Sequence, residues 1–95
     1  LDVRVAEVVS VEDHPNADKL YVLNVKVGQS ERTVVSGIKD HYTKDELVGK
    51  KLILIANLKP IKLRGVLSHG MLLAEEDGQH VRMIEGSLAS GSRLS

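Results

Sequence analysis

The stretch Asn57 to Met71, NLKPIKLRGVLSHGM, sets three cations, Lys59, Lys62 and Arg64, on a proline- and glycine-marked segment between the apolar runs LILIA (Leu52 to Ala56) and MLLA (Met71 to Ala74). Ammonium and guanidinium groups bring N–H donors and no acceptor, so the chemistry available here is recognition of anions. From Leu47 to Ala74 the cations are Lys50, Lys51, Lys59, Lys62 and Arg64, with no Asp or Glu among them. A one-signed surface on a rigid scaffold suits a polyanion, and nucleic acid is the commonest. Arg64 has the strongest claim, because its planar fork can grip a phosphate through two bonds while lysine acts as a point charge. Pro60 and Gly65 are read as shaping the loop.

Catalytic readings find no support in the residue pattern. His14, His41, His69 and His80 are scattered without ligand spacing, and there is no cysteine, so no metal site, cofactor or thiol nucleophile is expected. Gly65 to Gly70 has the spacing of the first half of a phosphate-binding P-loop, but Met71-Leu72 stands where Lys and Ser or Thr are required. Ser36 and Ser68 lack the G-x-S-x-G turn of a nucleophile elbow. No enzyme activity is expected of this domain.

The chain has 95 residues and a formal net charge of zero, which suits one domain whose polyanion binding comes from a local patch. Absent cysteine fits a reducing compartment, hence a cytoplasmic expectation. No run approaches the ~18 apolar residues of a membrane span. The chain begins at Leu1 without methionine, which suggests a piece of something longer. Tyr21 and Tyr42 are the only aromatic residues, so the core must be aliphatic. Stacking of bases on rings, worth ~1–3 kcal/mol each, is scarcely available, and phosphate contact and shape should dominate.

The elements that must hold the basic segment are short strands. Val3 to Val11 alternates with a slip near Ala6 to Val9, the mark of a long strand with a bulge. His14 to Asp18 is a turn by composition, Leu20 to Val27 a second strand, Gly28 to Glu31 a hairpin turn and Arg32 to Ser36 a third strand. Thr43 with Glu46 fits a capping box for one short helix that Gly49 ends. Lys51 to Ala56 is the fourth strand and Met71 to Ala74 the fifth. A sixth, Gln79 to Ile84, pairs back across Glu76-Asp77-Gly78. Five strands with a short helix between the third and fourth match the OB-fold, a partly open Greek-key barrel, with one extra C-terminal strand. That fold grips oligonucleotides with the loop after strand one, here His14 to Lys19, and the loop between strands four and five, here Asn57 to Arg64.

HPNADKLY (14 to 21), RTVVSG (32 to 37), ELVGKK (46 to 51) and NLKPIKLRGVLSHGM (57 to 71) resemble the tRNA-binding domain family. That family includes the C-terminal domain of methionyl-tRNA synthetase and a free-standing structure-specific tRNA-binding protein. The resemblance implies an OB-fold that binds tRNA by its folded shape, as an appended domain or in trans, and a homodimer in bacterial members. Carried over letter by letter, it adds Asn16, Lys19, Arg32, Ser68 and Met71 to Lys59, Lys62 and Arg64 as tRNA contacts. Read from residues alone, Asn16 would bond its own turn, Arg32 would pair with Glu31 or Glu46, and Ser68 and Met71 would be structural. Ala6 departs from the glycine usual in the family. The barrel is expected over about 1–74 and the extension 75–95 at the dimer interface, because an extra strand needs a partner. Two alternatives share the fold: a peptide-binding, export-related chaperone dimer, and a dimerisation module of a larger enzyme.

Overall fold

The computed structural model describes residues 1–95 as nine strands and one turn of helix. Strands β1 (Val3–Asp13), β2 (Tyr21–Val27), β3 (Ser30–Ser36), β4 (Lys51–Ile55) and β7 (Met71–Leu72) form one antiparallel sheet in the order β3-β2-β1-β4-β7. The sheet curls until its ends meet, where the His69 N–H donates to the Thr33 carbonyl at 2.8 Å. This is the expected five-stranded barrel, and α1 (Lys44–Leu47) lies between β3 and β4 as expected. Thr43 and Glu46 form the reciprocal capping box that the sequence signals, and Leu47 drops from this turn into the core.

The slip in β1 has a physical cause. Val8 pairs with Val25 and Ser10 with Asn24, so Val9 is an inserted residue without a partner. The insertion shifts the two-residue period by one, letting Val8 and Val11 both point inward while Val9 faces solvent. Ala6 is wholly buried, so its methyl group fills space in the core and the bend falls at Val9 instead.

The core is almost wholly aliphatic: Leu23, Val25, Val34, Leu47, Leu52 and Leu54 are sealed from water, Tyr21 is buried with them, and Tyr42 packs at the margin. The unbroken apolar run of β4 follows from burial on both faces. Leu52 and Leu54 point into the barrel, while Ile53 points outward beneath the C-terminal segment. A β-carbon on Gly86 would come within 2.9 Å of Val5 and 3.2 Å of Ile53, so only glycine lets the chain lie this close to the outer wall.

Two expectations are corrected. The segment Asn57 to Arg64 is not a plain loop, because β5 (Ile61–Leu63) and β6 (Val66–Ser68) form a hairpin. Its turn is Arg64-Gly65, with φ of 53° and 96°; positive values at both central residues match the twist of paired strands. The run MLLA is likewise not one buried strand. Leu72 is buried, Met71 is half exposed, and Ala74 begins β8 (Ala74–Glu76), which pairs with β9 (Val81–Met83).

The extra strand finds partners within its own chain. Beside its pairing with β8, the Met83 N–H donates to the Tyr42 hydroxyl at 2.9 Å, and the Ile84 carbonyl accepts from the Ile53 N–H at 3.2 Å. Beyond it, residues 91–94 pair with the first half of β1 through bonds such as Val5 N–H to the Ser92 carbonyl at 2.8 Å. The extra strand's backbone therefore gives no reason of its own for a second copy.

Candidate nucleic-acid interface

Two elements meet at one end of the barrel, the β1–β2 turn and the β5–β6 hairpin. Polar side chains join them and brace the joint. The ring of His14 lies between, with Nε2 at 2.8 Å from the Leu63 carbonyl and Nδ1 accepting from the Asn16 N–H at 2.9 Å. The Asn16 side-chain amide donates to the Arg64 carbonyl at 3.2 Å, and the Arg64 guanidinium donates to the Asn16 carbonyl at 3.3 Å. Two loops far apart in sequence thus become one surface.

The hairpin alternates sides. By register, Ile61, Leu63, Val66 and Ser68 share the barrel-facing side, while Lys62 and Leu67 are opposite. At its base, Arg32 reaches across from β3 and donates to the carbonyls of Ala56 and, at 3.4 Å, His69, bracketing both ends of the segment. Neither Glu31 nor Glu46 is its partner: Glu31 accepts from Asn24 and Glu46 closes the helix cap.

The predicted contacts divide by placement. Lys59, Lys62 and Arg64 are exposed and have no carboxylate within ion-pair distance. Asn16 and Arg64 form the joint itself. Met71 is 49% exposed and lines, with Val35, Leu58, Ile61 and Leu63, a small groove of about 50 Å³ whose rim includes Lys59. Lys19 stands apart from the hairpin, 80% exposed and 3.4 Å from Asp40. An exposed pair of this kind is worth about 0–1 kcal/mol, so the lysine can change partner easily.

Ser68 is buried where β3 meets β6. It is 4% exposed, and its hydroxyl accepts from the Val35 N–H at 2.9 Å and donates to the Gly70 carbonyl at 2.9 Å. It replaces a missing ladder bond where β3 meets β6, which leaves it little surface for a partner. His14, which sequence reasoning set aside with the other histidines, is the residue it missed. The signal was its place before Pro15 at the mouth of a turn, where a ring acceptor can hold the N–H of a residue two positions on.

Carboxylates with lowered pKa lie away from the hairpin. Hydrogen bonds from Lys44 and then Lys39 hold Asp13 below the ordinary range, and the bond from Arg4 does so for Asp2. Backbone N–H groups lower Glu46 through the Thr43 cap and Asp77 through Gln79 and His80. No group of three or more His, Cys, Asp or Glu could hold a metal ion.

A curled five-stranded barrel whose β1–β2 loop and post-β4 hairpin share one end defines an OB-fold domain of the kind that carries its ligand on those loops. The family described as "Putative tRNA binding domain" matches residues 3–92. The methionine–tRNA ligase of Nanoarchaeum equitans is 52% identical over 96 residues, covering 99% of this chain and 12% of the ligase. The crystal structure of a MetRS-related protein from Pyrococcus horikoshii superposes with a TM-score of 0.92 at 38% identity, covering 99% of this chain and 89% of that one. The CsaA chaperone protein from Picrophilus torridus gives a TM-score of 0.92 at 26% identity, covering 99% and 91%. The chain belongs to the tRNA-binding domain family and is related to a segment of methionine–tRNA ligases, of which it spans about an eighth.

Proposed function

We propose that this domain binds tRNA by shape and backbone charge, with little reading of sequence, as a module attached to a methionine–tRNA ligase or acting beside one in the cytoplasm. The observation that carries the reading is the joined end of the barrel, where Lys62 and Arg64 on a braced hairpin, and Lys59 just before it, stand without carboxylate partners. Phosphates bind these cations, Asn16 and Met71 contact the same strand, and Lys19 leaves Asp40 to join them. Arg32 and Ser68 serve the site by holding the hairpin's base. No helix is long and apolar enough to cross a membrane.

A homodimer belongs to the proposal, formed on the outer wall where Val5, Ile53, Ile84, Leu88 and Leu94 line a groove of about 240 Å³. Two copies would present two basic hairpins to one tRNA and raise avidity without altering either hairpin. Titration of labelled tRNA at several salt concentrations tests the central reading. Affinity should fall steeply with salt, vary little among tRNA species, and exceed that for a single strand of equal length. A clear preference for the single strand overturns recognition by shape.

The second reading, peptide binding, rests on the apolar groove beneath the hairpin and on the likeness to a chaperone. It predicts capture of an apolar peptide with little response to salt, since burial of apolar surface does not release counterions.

A further inference from the structure

The buried histidine His14, 6% exposed, is not used by the proposed RNA contacts. Its two ring nitrogens both face backbone groups, and the two bonds have opposite sense. The Asn16 N–H can only donate, so Nδ1 must be the bare, accepting nitrogen. Nε2 then carries the proton and donates to the Leu63 carbonyl. One tautomer of the neutral ring satisfies both, and the protonated ring satisfies only one.

We infer that His14 is a positioning residue of the RNA-binding surface: its neutral imidazole latches the β1–β2 loop to the β5–β6 hairpin, and gain of a proton at Nδ1 undoes the latch. The inference rests on the tRNA reading for its consequence but not for its geometry. A proton on Nδ1 sets two N–H groups face to face, so Asn16 must turn away. The Asn16 side chain and carbonyl are the groups that hold Arg64, and the guanidinium loses its brace as they move.

The surrounding charges do not compensate. Asp13, at the end of β1, is engaged by Lys39 and Lys44 at 3.2 Å each. On the loop itself, Lys19 is paired with Asp40, and Asp18 makes no hydrogen bond to the ring. From the hairpin, Arg64 stands in the same knot and Lys62 lies on the opposite side. No carboxylate touches either ring nitrogen, so a protonated ring adds a second cation beside Arg64 without a counter-charge.

This yields a pH response of unusual sign. Protonating His41, His69 or His80 adds positive charge and should strengthen attachment to a polyanion. Protonating His14 should weaken it by dismantling the surface.

The test uses the 95-residue domain, wild type and the His14→Gln, His14→Asn and His14→Leu variants. Labelled tRNA anisotropy is recorded from about pH 8 to about pH 5, the interval in which imidazoles ordinarily change charge. Glutamine can place an amide donor near the position of Nε2, and asparagine an acceptor near that of Nδ1, neither gaining a proton in that range. The wild type should lose about tenfold in affinity on acidification, the scale of one or two hydrogen bonds. His14→Gln and His14→Asn each keep one of the two bonds, so each should bind about threefold to tenfold more weakly than the wild type at the upper pH and show no further loss on acidification. His14→Leu should be about tenfold weaker throughout while remaining folded. Leucine binding as the wild type does, or wild-type and glutamine profiles that coincide, overturns the inference. Should leucine not fold, the comparison of wild type with glutamine decides alone. Hydrogen exchange at the Asn16 amide gives a readout free of RNA. Protection that disappears on acidification in the wild type supports the latch, and protection independent of pH overturns it. A wild type that binds no tRNA at any pH refutes the functional reading, and the Asn16 amide still decides the latch.

Discussion

The barrel carries two added hairpins, and they are attached in opposite ways. β8–β9 is held by what it buries: Met83 enters the core at 5% exposure, and Ile84 bonds on both sides through backbone groups. β5–β6 is held by polar groups, namely His14, Asn16 and Arg32 from elsewhere and its own buried Ser68, while Ile61, Leu63 and Leu67 are 50%, 37% and 45% exposed. The first arrangement is costly to open because opening exposes apolar surface. The second keeps a hairpin aimed while leaving its surface free, and local openings are expected to concentrate there. Position and adhesion are separable, and the basic hairpin has the one with little of the other.

The largest effect that would sharpen this contrast comes from Met83→Ala. A deleted core side chain of this size should cost ~2–5 kcal/mol of stability in chemical denaturation. Affinity for tRNA, measured where the variant is folded, should not change; a loss in both would show that the two hairpins are coupled. Arg64→Gln should do the reverse, weakening tRNA binding by ~1–3 kcal/mol, the scale of a charge-assisted hydrogen bond, with the thermal transition intact. Removing Lys59 and Lys62 together, as glutamines, should flatten the salt dependence of binding by about one unit of slope for each phosphate that is no longer neutralised.

Acid provides the smallest and most local test. Asp77 is lowered by bonds from the Gln79 and His80 N–H groups, so its contribution to stability is complete above the ordinary carboxylate range. That contribution is lost as pH falls through the lowered value in the folded state. The β5–β6 hairpin contains no carboxylate. Amide shifts at Gln79 and His80 should therefore follow carboxylate titration, and those at Leu63 and Gly65 should not. Equal response of both turns in that range would break the contrast.

The five-stranded barrel was legible because its determinants are local. The bulge in β1 appears as a shifted period, the helix as Thr43 with Glu46, and the β2–β3 hairpin as alternation around Gly28. The basic segment was legible as charge but not as a hairpin. Its turn is Arg64-Gly65, outside the Asn-Gly and Asp-Gly pairs that announce such turns, and each strand is only three residues long. The roles of Arg32, Ser68 and His14 were hidden for another reason: each has a backbone carbonyl or N–H partner 24 to 49 residues away. A backbone group has no letter in the sequence, so residue types can hint at a local partner, as Pro15 does for His14, but not at a distant one.

The left-handed backbone at Arg64 sets stability against the binding role proposed for this side chain in an engineered lineage. A side chain other than glycine or asparagine is strained there by ~1–2 kcal/mol. Selection for heat resistance alone would reward Asn or Gly at this position and discard the guanidinium on the way. Under the proposed function, a library screened by melting temperature would thus enrich variants with tighter turns and weaker hold on RNA. Any effort to harden this domain has to keep position 64 fixed and seek its gains on the outer wall or in the core.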